Sequence, residues 1–99
     1  MLKNYVINFP KGGVVYCRFW EDECVVYNQR SGETHLVDGM GVEIFKLISE
    51  KTTARAQVLQ NIQSVFELEM DFDVEGLLDN LILEYQKLGL LNVMENNPA

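Results

Sequence analysis

The chain has no run approaching the ~18 consecutive apolar residues of a membrane helix, although 47% of its 99 residues are hydrophobic. A membrane protein is therefore not expected. It has one histidine and only two cysteines, so a zinc site has too few ligands to be supported. Its opening residues, MLKNYVINFPKGG, carry one early lysine but are interrupted by Asn4, Asn8 and Pro10. They lack the apolar block and small-residue cleavage site of a secretory signal, which makes the cytoplasm the default expectation. No repeat, low-complexity segment or internal linker is visible.

Bases are also scarce: eight Lys and Arg stand against fifteen Asp and Glu, a formal charge of −7 at pH 7. Residues 1–66 are balanced, with seven acids and seven bases, whereas Glu67 onward holds eight acids and only Lys87. The imbalance thus lies wholly in the last third. It either steers a basic partner in preference to nucleic acid, or is a solvated face that keeps the protein soluble.

What is present fits one domain, large enough to bury roughly 65% of its unfolded surface. The texture changes once. From Val14 to Val37 the chain is rich in β-branched and aromatic residues, interrupted by the polar Glu21-Asp22-Glu23 and by Asn28-Gln29-Arg30-Ser31-Gly32. The second interruption places Asn28 and Gly32 where unusual backbone angles are needed. A three-stranded antiparallel meander is predicted, with Thr34 to Val37 as its third strand. A turn at Glu21-Asp22 puts Cys17 and Cys24 on a diagonal, about 7–8 Å apart and too far to bridge. A shifted register brings them opposite. Free, half-buried thiols are the favoured expectation.

Three helices follow. Asp38 is a candidate cap for the first, whose apolar positions are Met40, Ile44, Phe45, Leu47 and Ile48. Thr53 is a candidate cap for the second, marked by Val58, Leu59, Ile62 and Phe66. Asp71 or Asp73 caps the third, whose apolar set is Val74, Leu77, Leu78, Leu81, Ile82, Tyr85 and Leu88, with Gly89 as a left-handed terminator. That set spans an arc of about 140°, wider than a surface helix needs, so part of it either forms a groove or is consumed by the core of a small domain. Leu83 projects opposite the stripe. Leu90, Leu91 and Val93 return to a strand-like texture, and residues 94–99 read as a polar tail. Segregated strands and helices define an α+β class.

The stretch Trp20-Glu21-Asp22-Glu23-Cys24-Val25-Val26-Tyr27-Asn28, continuing through Ser31-Gly32-Glu33-Thr34-His35-Leu36-Val37-Asp38, resembles the start of PqqD-family domains. Leu81-Ile82-Leu83-Glu84-Tyr85-Gln86-Lys87-Leu88-Gly89-Leu90-Leu91 is similar to that family's last helix and its Gly-Leu-Leu ending. The likeness covers residues 13–93 and is greatest to the subgroup associated with HPr-kinase-related proteins. It rests on the order and spacing of many weak features, with no single diagnostic motif. The chain departs from the common pattern at Asp38-Gly39-Met40-Gly41, where two glycines predict a loose junction. It also departs at residues 1–12, an N-terminal extension in which Tyr5 to Phe9 alternate like a strand, pairing in cis or swapped between protomers.

The resemblance implies a winged-helix-like fold and a non-catalytic peptide chaperone, or recognition element for ribosomally made peptides. In such domains an extended precursor or leader segment joins the sheet beside the third strand, lies against the last helix and is presented to a modifying enzyme. Carried over by position, the edge is Thr34, His35, Leu36 and Val37, and the helix wall is Leu78, Ile82 and Tyr85, flanked by Asp79 and Gln86. An adaptor for a folded partner in an HPr-kinase-related system is the alternative, and under either reading the chain is expected as a monomer or a strand-swapped dimer.

Catalytic candidates are thin. His35 has no evident nucleophile beside it, Lys11-Gly12-Gly13 precedes a strand where a phosphate loop precedes a helix, and Asp71, Asp73 and Glu75 lack the rest of a calcium loop. No cofactor is expected. A DNA-binding winged helix is disfavoured because the third helix sets Glu75, Asp79 and Glu84 against Lys87 alone.

Overall fold

The predicted meander forms from strands β2 (Val15–Trp20), β3 (Glu23–Asn28) and β4 (Glu33–Asp38), in the spatial order β2-β3-β4. The structure is a computed structural model and describes residues 4–67 and 73–95. Trp20 pairs with Glu23 across a two-residue turn, and Asn28 pairs with Glu33 across a four-residue one. Strand periodicity then sorts the side chains. Val15, Cys17, Cys24, Val26, His35 and Val37 share the inner face, while Tyr16, Arg18, Trp20, Val25, Tyr27, Thr34 and Leu36 share the outer one. Cys17 lies opposite Val26 and Cys24 opposite Phe19, so the two thiols are diagonal and both are free.

Asn28 serves this turn differently from expectation, because among the described residues no non-glycine residue has positive φ. Its side-chain oxygen accepts from the Arg30 N–H at 2.9 Å, and its amide donates to the Leu88 and Gly89 carbonyls, each at 3.4 Å. The buried Asn28 thereby ties the meander to the end of the last helix. Gly32, at φ +75°, takes the left-handed position.

A second antiparallel sheet has the order β5-β1-β6, where β1 is Tyr5–Asn8, β5 is Thr53–Ala54 and β6 is Asn92–Glu95. The strand expected in the N-terminal extension is therefore present and pairs within its own chain, away from the meander. It is the central strand of its sheet, and its alternate residues Tyr5 and Ile7 are buried in the core. The segment expected as a polar tail from residue 94 begins inside β6, which pairs Met94 with Val6 and Glu95 with Tyr5. Residues 96–99 lie outside the described residues. The described residues thus form an α+β fold of six strands in two antiparallel sheets with three helices.

Helix α1 (Met40–Glu50) is capped by Gly39, not by Asp38, which is the last residue of β4. Gly39 sits at φ +57°, and a Cβ on Gly41 would collide with the Tyr85 hydroxyl and with Val37 Cγ1. The expected looseness is corrected: one glycine turns the chain sharply off the sheet, and the other lets a strand and a distant helix close over it. Helix α2 (Arg55–Val65) starts after Ala54; Thr53 is a strand residue whose hydroxyl donates to the Lys51 carbonyl at 2.9 Å. Helix α3 (Val74–Lys87) is capped by Asp73, whose carboxylate accepts from the Gly76 N–H at 3.0 Å. Asp71 lies outside the described residues. At its other end Gly89 N–H donates to Gln86 and Leu90 N–H to Tyr85, the paired bonds of a Schellman ending, with Gly89 at φ +75°. Phe45, Ile44, Ile7, Leu78, Ile82 and Leu90 fill the core between the helices and the two sheets.

Candidate functional site

The meander has two free margins among the described residues, because β2 and β4 each pair only with β3. The direction of the unpaired groups follows from one bond. Gln29 N–H donates to the Val14 carbonyl at 2.8 Å, so odd-numbered residues of β3 turn toward β2 and even-numbered ones toward β4. Across β4 the alternation leaves Thr34, Leu36 and Asp38 with N–H and C=O aimed away from β3, unpaired by the described chain. On β2 the corresponding residues are Val15, Cys17 and Phe19.

The β4 margin carries the expected edge residues. Leu36, on the outer face, is 69% exposed, the highest value among the large hydrophobic residues described. It continues a row formed with Val25 and Arg18. His35 turns inward with a buried Nε2 that has no hydrogen-bond partner among the described residues. Val37 is buried, and Thr34 is exposed. Tyr85 brings its hydroxyl from α3 to the same corner, over Gly41 and beside Val37. Burial foremost, then the charges of Cys24 and Asp38, pushes its phenol up to about 12. It stays protonated and able to donate.

The rest of the expected helix wall is interior. Leu78 and Ile82 are almost completely buried and Tyr85 is 8% exposed, so the wide apolar arc of α3 is consumed by the core at these positions. What remains outside is Leu77, at 44% exposed, and Leu83, with Leu81 half-buried. Of the flanking polar pair only Gln86 is exposed.

Asp79, expected as a polar contact at the site, is instead one end of a buried lock. Arg55 donates to its carboxylate through Nε at 2.8 Å and through Nη2 at 2.9 Å, and the Tyr5 hydroxyl donates to the same group. Nη2 of Arg55 also reaches Glu75 at 3.1 Å. The Arg55 hydrogen bonds hold the Asp79 carboxyl below the usual carboxylate range against the opposing effect of burial, and Tyr5 assists. Strand β1, the start of α2 and α3 are thereby joined. The sequence signal for it was slight: an arginine in the first turn of α2, where the helix dipole disfavours a cation, calls for a tertiary partner.

The outer face of the meander forms a second exposed region. Tyr16 and Trp20 are each 53% exposed, Tyr16 stacks with Tyr27 at 6.5 Å between ring centroids, and with Arg18 and Val25 they line an open hollow of about 610 Å³. Among the described residues no three of His, Cys, Asp and Glu converge as metal ligands would, and no helix is long and apolar enough to cross a membrane. Compared with protein-family models, curated proteins and solved structures, the chain gave no match to any of the three.

Proposed function

We propose that the chain is a non-catalytic, PqqD-like peptide-binding domain that captures an extended precursor or leader segment by strand addition along β4 and presents it to a modifying enzyme in the cytoplasm. The observation that carries this reading is the β4 margin, where Thr34, Leu36 and Asp38 turn unpaired backbone groups outward beside the exposed Leu36 side chain. Backbone pairing there supplies affinity, and alternate side chains supply selectivity. In this reading α1, β5, α2, α3 and β6, with β1 as the third strand of their sheet, stand as a winged-helix-like unit beside the meander. The guest's inward side chains meet His35, Val37 and the Tyr85 hydroxyl; Leu78 and Ile82 serve the core.

An adaptor for a folded protein of an HPr-kinase-related system is the second reading, and the exposed Tyr16, Trp20 and Tyr27 surface favours it. The two differ in which residues matter. Leu36→Pro removes an N–H that faces the guest and spares the ladder to β3, whereas Phe19→Pro does the same at the β2 margin. Fluorescence anisotropy with labelled precursor-derived peptides should show loss of binding for Leu36→Pro and retention for Phe19→Pro, with both variants folded by circular dichroism. Retention in Leu36→Pro would remove the β4 reading.

A further inference from the structure

Resting on the strand-addition reading, we infer that the guest of β4 is a short basic-ended segment: two Lys or Arg residues five positions apart, enclosing an apolar pair and a hydroxyl- or amide-bearing residue. The ends of β4 are acidic. Glu33 and Asp38 are both exposed and make no ion pair among the described residues, on a chain of net charge −7. An added strand whose termini carry like charge meets repulsion at both ends, and one carrying lysine or arginine gains two cross-strand pairs.

Between those ends the edge has its own order. Every pairing in both sheets is antiparallel, and antiparallel addition is the more stable choice per residue, so the guest runs opposite to β4. Its first residue faces Asp38 on the outer side. The second faces Val37 on the inner side, where Gly41 and the Tyr85 hydroxyl crowd the corner and admit a compact apolar group. The third faces Leu36 and extends the row of Arg18, Val25 and Leu36, so a branched apolar side chain covers the exposed leucine. The fourth faces the half-buried His35, whose Nε2 is buried without a partner among the described residues, and a hydroxyl or amide there satisfies it once the imidazole turns toward the guest. The fifth faces Thr34 beside Tyr27, and the sixth faces Glu33.

The test uses the full chain and two synthetic fluorescein-labelled peptides, Lys-Val-Ile-Thr-Val-Lys and Glu-Val-Ile-Thr-Val-Glu, titrated by anisotropy at low and high salt. The lysine peptide should bind about three- to tenfold more tightly at low salt, with the gap shrinking as salt is added. In the Glu33→Lys/Asp38→Lys variant the preference should invert. Equal binding of both peptides, still abolished by Leu36→Pro, would overturn the basic pattern and leave strand addition standing. Binding that ignores Leu36→Pro would overturn the strand-addition reading as well, and failure of the lysine peptide to bind at all would overturn the inferred pattern.

Discussion

Replacing Asp79 by asparagine keeps the shape of the side chain and removes its charge, leaving Arg55 buried against a neutral amide. The Arg55 side chain is 11% exposed, and its Nε and Nη2 both spend their hydrogen bonds on Asp79. Breaking one partner of a buried pair costs about 3–5 kcal/mol. Glu75 still accepts from Nη2 at 3.1 Å, but its side chain is 61% exposed and screened, so the lower end, about 3 kcal/mol, is expected. For a domain of this length that corresponds to a fall in Tm of roughly 12–24 °C, read by circular dichroism at pH 7. The pH dependence supplies a second arm. The Asp79 carboxyl is held below its ordinary value in the folded state, so its contribution is complete above the unfolded value of about 3.9 and drains away as pH falls through the folded one. The wild type and Asp79→Asn should therefore converge in acid, below about pH 4. Arg55→Met/Asp79→Leu, which removes both charges together, should recover much of the loss. An Asp79→Asn variant within about 1 kcal/mol of the wild type at neutral pH, or a gap that does not narrow in acid, would refute a stabilising lock.

Two further outcomes follow from the same packing. Gly41→Ala should destabilise the fold by about 1–3 kcal/mol in urea unfolding, because its Cβ meets Tyr85 and Val37, and Val37→Ala in the same chain should return part of that; no recovery would mean that Val37 is not the obstacle. The thiols should be sluggish: burial, with Cys24 nearby, pushes Cys17 up to about 12, and burial against an opposing pull from Lys46 brings Cys24 up to about 11, so both hold little thiolate at pH 8. Iodoacetamide should label the native protein at least about tenfold more slowly than the urea-unfolded chain, and equal rates would show the thiols to be accessible.

The amino-acid sequence by itself determined the features that depend on near neighbours. Alternation in VVYCRFW and CVVY specified a meander and a 3.6-residue period specified three helices, while the register that sets Cys17 and Cys24 on a diagonal was one of two the sequence left open. Asp73 and Gly89 end α3 as their chemistry dictates, since a cap acts within one turn. Tertiary structure decided what depends on residues far apart in the chain. Strand β1 finds β5 and β6 across most of the sequence, a pairing that alternation alone leaves without an address. Gly39 displaces Asp38 as the cap of α1 because the chain must turn off the sheet there, and Gly41 is small because Tyr85 arrives from α3. The width of the apolar arc on α3 was legible, but its coverage was not. Leu78 and Ile82 belong to the core because α3 packs against α2 while Tyr5 of β1 and Phe45 of α1 reach it, which leaves the open backbone of β4, with Leu36, and the exposed Gln86 as the parts of the expected site that stay free.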